Sequence, residues 1–177
     1  GSYYDTTEEI SSLDKETPLE KGIRLESKFS EALQKLDFDA VDLIPNSGSN
    51  SSWNYDVTAV KTGKWFCFDV KGVAKGRVLL KTHGNALKRQ IKNAYIHKAR
   101  PYLAFPEYGR KQLTNPKFWY IYPLTYNSYL VSLSSYPSYD KLVSESLPLE
   151  TIFQENNPFP HMKNELMNNN TPLSIPP

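Results

Sequence analysis

Two short strand patterns at residues 56–71, joined by the turn sequence Lys-Thr-Gly-Lys, constrain this chain more than any other feature. Asp56 opens the first pattern, and the triplet Asp69-Val70-Lys71 closes the second. Because strand side chains alternate between the two faces of a sheet, Asp69 and Lys71 point to one side. The alternate residues of the same strand, Phe66, Phe68 and Val70, then point to the other side, into a core. The spacing therefore predicts a β-hairpin that ends in a carboxylate–lysine pair, which is a candidate metal site.

The length of 177 residues predicts one folded domain with tails, large enough to bury a core without disulfides. We expect a flexible arm over residues 1–17, the folded domain over residues 18–155 and a disordered Asn- and Pro-rich tail over residues 156–177. The single cysteine, Cys67, falls on the second strand pattern and is predicted to be a buried, reduced thiol. No apolar run has the length of a membrane span and no signal peptide is evident, so we expect an intracellular protein.

Charge is distributed unevenly along the chain. Residues 1–60 contain 5 Lys or Arg against 12 Asp or Glu, whereas residues 61–111 contain 13 against 2, a balance of +11. Such a basic block indicates a polyanionic partner such as DNA, although a solvated, Lys-rich helix face explains the charge equally well. The candidate DNA-binding residues are Lys75, Arg77, Lys81, Lys88, Arg89 and Lys92.

The remaining elements follow from apolar spacing. Helices are predicted over residues 18–36, with Glu26 at the edge of the apolar face, and over residues 85–98. Further strands are predicted at residues 40–45, 101–105 and 118–122, with a flexible Gly/Lys passage at residues 72–77 and a short helix at residues 148–153. The tyrosines that become frequent in the last third favour packing roles over a base-stacking or subunit surface: Tyr120, Tyr122, Tyr126, Tyr129, Tyr136 and Tyr139.

The acidic residues and the lysine suit phosphodiester cleavage, which needs an activated water and a cation beside the reacting phosphate. Asp56 and Asp69 on adjacent strands can converge on one Mg²⁺ ion, with the Val70 carbonyl as a third oxygen ligand. Lys71 would orient the water or stabilise the developing charge. Glu26 could reach the same site, directly or through a water on the metal.

The order of these residues resembles the PD-(D/E)xK nuclease superfamily and, within it, the archaeal-type Holliday junction resolvases. The resemblance extends over about residues 20–155. It is carried by Lys21-Gly22-x-x-x-Glu26, Phe38-Asp39-Ala40-Val41, Ile44-Pro45-Asn46-Ser47, Asp56, Asp69-Val70-Lys71 and Pro148-Leu149-Glu150-Thr151-Ile152-Phe153.

This resemblance implies an α/β fold with a restriction-endonuclease-like core, in which helices flank a mixed central β-sheet. It implies metal and catalytic roles for Glu26, Asp56, Asp69 and Lys71, with Ser47 near the scissile phosphate. The implied cofactor is Mg²⁺, with Mn²⁺ as a substitute. The implied assembly is a homodimer that nicks symmetric strands of branched DNA.

The chain departs from the resolvase pattern at three positions. Tyr55 stands where a proline often precedes the metal aspartate, and Asp69 replaces the commoner glutamate. The glutamine that resolvases often carry after their lysine has no clear counterpart, because Gln90 is late in the sequence and His83 lies nearer the expected position.

Two alternatives stay open. A sequence-specific restriction or homing endonuclease on the same core would use the loop at residues 46–55 and the Tyr-rich C-terminal third to recognise bases in a duplex. Trp53 in this loop could stack on a base or wedge a junction, but a lone aromatic favours packing over the sheet. A non-catalytic nucleic-acid-binding module would use the basic block alone.

Overall fold

The computed structural model describes residues 17–44, 54–125 and 134–154. Its strands are β1 (Ala40–Leu43), β2 (Val57–Lys61), β3 (Lys64–Val70), β4 (Val73–Ala74), β5 (Arg77–Val78), β6 (Ala99–Pro106), β7 (Trp119–Pro123) and β8 (Leu147–Pro148). Six of them form one sheet in the order β1-β2-β3-β6-β7-β8, while β4 and β5 form a separate hairpin. Only the β3–β6 pairing in the described sheet is parallel. The predicted mixed sheet is therefore confirmed.

Helices cover both faces of this sheet. They are α1 (Pro18–Gln34), α2 (Gly84–Ile96) and α3 (Tyr139–Glu145), with short 3₁₀ turns at Pro116–Phe118 and Leu149–Thr151. Helix α1 begins with a capping box between Thr17 and Glu20 and has Pro18 in its first turn, as favoured at helix N-termini. Helix α2 lies within the crossover that a parallel β3–β6 pair requires. The α/β architecture with flanking helices agrees with the prediction.

Two tight turns shape the region around the candidate site. Between β2 and β3, Thr62 and Gly63 have φ angles of 50° and 75°, and between β4 and β5 Lys75 and Gly76 have φ angles of 52° and 72°. Two consecutive residues with positive φ are typical of the turn that joins two-residue hairpins. The first turn was predicted. The flexible passage expected at residues 72–77 was wrong, because Lys75-Gly76 has the same turn chemistry and closes the β4–β5 hairpin.

The sheet separates two apolar clusters. On one face, Phe29 of α1 packs edge-on against Phe68, with centroids 5.0 Å apart, and against Trp119, at 4.7 Å. On the other face, α2 buries Leu87 and Ile91 in the cluster that contains Cys67. Cys67 is buried and free, as predicted. This division confirms the alternation along β3, since Phe66, Phe68 and Val70 belong to the α1 face.

Several predictions at the C-terminal end are refined. The short helix expected at residues 148–153 is a 3₁₀ turn at Leu149–Thr151, and the sequence did not reveal α3 or β8. The packing interpretation of the tyrosines holds for Tyr122, which is buried, and for Tyr120 and Tyr139, which lie 5.7 Å and 5.9 Å from the Phe105 ring. Tyr136 is exposed. Tyr126, Tyr129 and the predicted N-terminal arm and C-terminal tail lie outside the described residues, apart from Thr17.

None of the helices in the described ranges is long and apolar enough to span a lipid bilayer.

Candidate active site

The carboxyl end of β3 carries the acidic and basic side chains that the hairpin pattern predicted. Asp69 is buried, with a side chain 7% exposed, and its Oδ1 lies 3.4 Å from Nζ of Lys71. The two side chains share a face because they are two residues apart on an extended chain. A largely buried carboxylate at an ion-pairing distance from a lysine is typical of a site that binds charged ligands.

Asp56 lies beside this pair, just before β2. Its Oδ2 accepts a hydrogen bond of 2.8 Å from the backbone N–H of Val70, which joins the start of β2 to the end of β3. On the opposite side of the same strand, the N–H of Lys71 donates to the carbonyl of Ala104 in β6. Because a trans peptide points its C=O opposite to its N–H, the Val70 carbonyl lies on the side of β3 that faces Asp56.

Glu26 approaches the same end of β3 from α1. The pKa of Glu26 is raised from 4.5 to about 7, mainly by burial and in addition by the charges of Asp56 and Asp69, while Lys71 acts against the rise. The helix passes close to the strand here, since a Cβ on Gly72 would lie 3.7 Å from Cδ2 of Leu25. Glu26 is therefore within electrostatic reach of the two aspartates and the lysine, as predicted.

The pKa of Asp69 is also raised. Burial is the largest cause; Lys71 opposes it, the charge of Asp56 adds to it, a hydrogen bond from Gln90 lowers it and a hydrogen bond with Asp56 raises it. The acidic groups thus repel one another, and the charge of Lys71 lowers the pKa of both Glu26 and Asp69.

This excess of negative charge fits a divalent cation, whose preferred ligands are carboxylate and carbonyl oxygens. Within the described ranges, no group of three or more His, Cys, Asp or Glu side chains forms a ready-made cage. The oxygen donors at this point are the carboxylates of Asp56 and Asp69 and the carbonyl of Val70, and the carboxylate of Glu26 interacts with them through its charge.

Gln90 contacts the site, although its late position in the sequence gave no clear match to the resolvase glutamine. Its Nε2 donates to Oδ2 of Asp69 and to the carbonyl of Asn54, both at 2.9 Å. The residue is only 2% exposed, and its buried Oε1 has no hydrogen-bond partner. The signal was present, because Gln90 is the polar member of the buried stripe formed by Leu87, Ile91 and Ala94.

Tyr55 holds the helix that carries Gln90. Its ring is fully buried, and its hydroxyl donates a 2.7 Å hydrogen bond to the backbone carbonyl of Gln90. Asn54 and Tyr55 thus bind residue 90 twice, once through a backbone carbonyl and once through a side chain. The departure from proline at position 55 therefore places a hydrogen-bond donor where proline would have none.

The predicted DNA-binding residues lie on two neighbouring elements. The hairpin region carries Lys75, Arg77 and Lys81, whose side chains are exposed, and α2 carries Lys88, Arg89 and Lys92, which are exposed or half-buried. The Nδ1 of His83 lies 2.8 Å from Oγ of Ser135, whereas the side chain that bonds to Asp69 is that of Gln90. The expected contributions of Ser47 and Trp53 lie outside the described residues.

No family model and no curated protein matches this chain. A solved structure does: Hjc, a Holliday junction resolvase from the archaeal hyperthermophile Archaeoglobus fulgidus, matches with a TM-score of 0.53 and 16% sequence identity. The match covers 74% of this chain and 98% of Hjc. The chain shares the fold of Hjc. At this low identity the likeness establishes the fold alone, and the acidic site at the end of β3 is a feature of this chain itself.

Proposed function

We propose that this protein is a metal-dependent endodeoxyribonuclease that cleaves phosphodiester bonds in branched DNA, as a Holliday junction resolvase does. One observation carries the proposal: Asp56, Asp69 and Lys71 meet at the end of β3, with Glu26 beside them, in a chain that has the Hjc fold. A mutually repelling carboxylate cluster next to a lysine suits a cation and a phosphate together.

Each side chain has a defined role in this proposal. Asp56, Asp69 and the Val70 carbonyl would hold Mg²⁺ or Mn²⁺, which supplies positive charge to the reacting phosphate and acidifies a bound water. Lys71, 3.4 Å from Asp69, orients the attacking water or stabilises charge on the phosphate oxygens. Glu26 would accept a proton from the attacking water, and Gln90 would keep Asp69 in place through its amide.

The branched substrate and a homodimer are the finer parts of the proposal. They rest on the resemblance of the motif order to resolvases and on the likeness in fold to Hjc, which is a Holliday junction resolvase. The exposed cations of the β4–β5 hairpin and α2 provide phosphate contacts on the elements that follow Lys71 in the chain. Two symmetric nicks in a four-way junction require two such sites, which a dimer supplies.

The test is cleavage of an end-labelled four-way junction and a linear duplex of matched sequence, with Mg²⁺ and with EDTA. We expect nicking of the junction in Mg²⁺, none in EDTA, and little cleavage of the duplex. Sequence-dependent cleavage of the duplex with indifference to the junction would instead indicate a restriction-type enzyme. Absence of cleavage of both substrates by the native protein would contradict nuclease function.

The variant Asp69→Asn separates an enzyme from a binding module. It keeps the shape of the side chain and removes its charge, so we expect cleavage to fall at least about a hundredfold while junction binding persists or tightens. Asp42→Asn is the matched control, because Asp42 is an exposed aspartate on β1, where it pairs with Thr58. Activity that survives in Asp69→Asn would contradict the assigned metal site.

A further inference from the structure

Three chain segments meet around Tyr139, at the start of α3. The N–H of Tyr139 donates to the carbonyl of Gly76 in the β4–β5 turn at 2.9 Å. The hydroxyl of Tyr139 accepts a 3.0 Å hydrogen bond from the N–H of Tyr108, in the segment that follows β6. Arg77 of the hairpin bridges to Ser138, and its guanidinium donates to the carbonyl of Tyr136 at 3.3 Å. Tyr139 therefore joins the hairpin and the loop after β6.

Two aromatic rings remain exposed on these segments. Tyr108 is 65% exposed and Tyr136 is 49% exposed, although both have backbones held by hydrogen bonds. The ring of Tyr108 contacts that of Tyr139, with centroids 6.4 Å apart, and Tyr139 in turn contacts Phe105 in the core. The exposed ring of Tyr108 is thus connected to the core by two successive ring contacts, through Tyr139 to Phe105.

Cations accompany these rings. Lys75 and Arg77 on the hairpin are exposed, and Arg110 lies beyond Tyr108 in its loop. The nearby acids offset only part of this charge: Glu107 forms an ion pair with Arg110, and Asp140 follows Tyr139 in α3. We define the tyrosine surface as Tyr108, Tyr136, Lys75 and Arg77.

The tyrosine surface begins at the same edge of the sheet as the candidate active site. Strands β3 and β6 are parallel, so their carboxyl ends lie together, and the N–H of Lys71 is bonded to Ala104 of β6. The hairpin starts at Val73, two residues after Lys71, and Tyr108 follows the last residue of β6, Pro106, by two residues. A nucleic acid at the acidic site is therefore within reach of these rings.

We infer that the tyrosine surface binds unpaired nucleotides of the DNA substrate, by stacking of bases on Tyr108 and Tyr136 with phosphates held by Lys75 and Arg77. This inference rests on the proposed function and specifies how the branched substrate is held: unpaired bases exposed at the branch, next to the cleaved strand, bind the tyrosine surface. Bases within a duplex are already stacked on each other and expose only their edges, whereas unpaired bases expose a face to an aromatic ring. A pairing of exposed rings with cations is the combination that binds single-stranded nucleic acid.

The test measures DNA binding by the full chain in EDTA, so that cleavage plays no part. The probes are a forked duplex with a single-stranded arm and a fully paired duplex of the same length, each labelled with fluorescein. We expect Tyr108→Ala combined with Tyr136→Ala to weaken binding of the fork about tenfold and binding of the duplex by less than about twofold. Tyr108→Phe keeps the ring, so its affinity for the fork should match that of the native protein.

A second measurement detects stacking directly. With 2-aminopurine in the single-stranded arm, stacking on a tyrosine quenches the fluorescence of the 2-aminopurine. We expect this quenching with the native protein and with Tyr108→Phe but not with Tyr108→Ala combined with Tyr136→Ala. The matched control is Trp65→Ala, because Trp65 is 49% exposed at the opposite end of β3 from Asp69. Its fork affinity and quenching should equal those of the native protein.

The results that would contradict binding at the tyrosine surface differ from those that would contradict nuclease activity. Three results for the double variant would overturn the inference: an equal loss of affinity for fork and duplex, an unchanged affinity for the fork, or a changed oligomeric state with unchanged DNA binding. The last result would show that the tyrosine surface is a subunit contact. Cleavage in Mg²⁺ with full fork preference in the double variant would overturn this inference and leave the nuclease intact. Fork-selective binding without any cleavage would overturn the nuclease and leave the surface.

Discussion

At the scale of single residues, Asp69 is the side chain on which the other site groups converge. It contacts Lys71 through one carboxylate oxygen and Gln90 through the other, and it shares a hydrogen bond with Asp56. It does so while almost completely buried, where unpaired charge is costly. Its neighbours therefore determine how much charge it carries.

Glu26 gives the metal-free protein a pH-dependent stability. Its folded pKa of about 7 exceeds the ordinary value of 4.5, so between these pH values the folded state holds more protons than the unfolded state. The stability that Glu26 contributes is therefore fully present below pH 4.5 and is lost as the pH rises to about 7. Thermal melting in EDTA should show this decline, and Mg²⁺ should raise the melting temperature more above pH 7 than at pH 4.5.

The isosteric variant Glu26→Gln tests the cause of this decline. Because an amide does not titrate in this range, we expect the melting temperature of this variant to depend less on pH. The rise in melting temperature caused by Mg²⁺ should also differ less between pH 4.5 and values above pH 7. Asp69 contributes in the same direction, since its pKa is also raised by burial, and so part of the slope should remain. A pH profile identical to that of the native protein would contradict the assignment of Glu26 to the cluster.

Gln90 is predicted to act as a positioning residue. The substitution Gln90→Ala leaves Oδ2 of Asp69 and the Asn54 carbonyl without their donor, which should cost about 1–3 kcal/mol of stability. If Gln90 also orients Asp69, the Mg²⁺ concentration needed for half-maximal cleavage should rise severalfold, which a purely structural role would not change. The measurement is a Mg²⁺ titration of cleavage with Gln112→Ala, an exposed glutamine, as control. An unchanged Mg²⁺ requirement would argue against this role.

At the scale of elements, the two hairpins fix where the site groups lie. The β2–β3 turn sets the register in which Val57 faces Phe68, and this register brings Asp56 next to the end of β3. The β4–β5 turn directs the chain after Lys71 toward α3. Both turns depend on glycines whose backbone conformation other residues adopt at a cost.

Gly63 and Gly22 form a matched pair for testing this cost. A Cβ at either glycine would meet no atom within 4 Å, but Gly63 has a φ of +75° whereas Gly22 lies within α1. Gly63→Ala should destabilise the protein by about 1–2 kcal/mol because of backbone strain, while Gly22→Ala should stabilise it by about 0.5–1 kcal/mol through helix propensity. Urea unfolding measures both. Equal effects of the two substitutions would show that the turn conformation does not set the cost.

At the scale of the whole molecule, the sheet places Glu26 and the lysines of α2 on elements that cover opposite faces. Helix α1, which contributes Glu26, covers one face together with the Phe29 cluster, and α2 with its lysines covers the other. The acidic site lies at the edge where the two layers meet, at the end of β3. A polyanion that contacts α2 can thus reach the carboxylates without crossing the α1 layer.

The salt dependence of DNA binding tests this arrangement. If Lys88 and Lys92 neutralise phosphates, each alanine substitution should lower the slope of log affinity against log salt concentration by about 1, without a change in preference between junction and duplex. Lys35→Ala at the end of α1, on the other layer, is the charge-matched control. Binding measured at a series of salt concentrations would contradict the prediction if all three variants had the same slope as the native protein.

The sequence by itself determined the local part of this protein. Strand alternation has a fixed period of two, so the pattern at residues 56–71 predicted the hairpin, the shared side of Asp69 and Lys71 and the core face of Phe66, Phe68 and Val70. Helical spacing likewise placed Glu26 at the margin of a buried face. These features depend on neighbours a few residues away, which the sequence displays directly.

Only the tertiary structure decided which distant groups complete the site. Gln90 meets Asp69 because α2 crosses from β3 to β6 and packs on the sheet, a contact between residues 21 positions apart that spacing along the chain does not encode. The same holds for Tyr139, which joins Gly76 to Tyr108 across segments distant in sequence. Such contacts depend on how the helices pack on the sheet. The sequence alone is compatible with many pairs of distant residues, and only the packed structure shows which pairs are in contact.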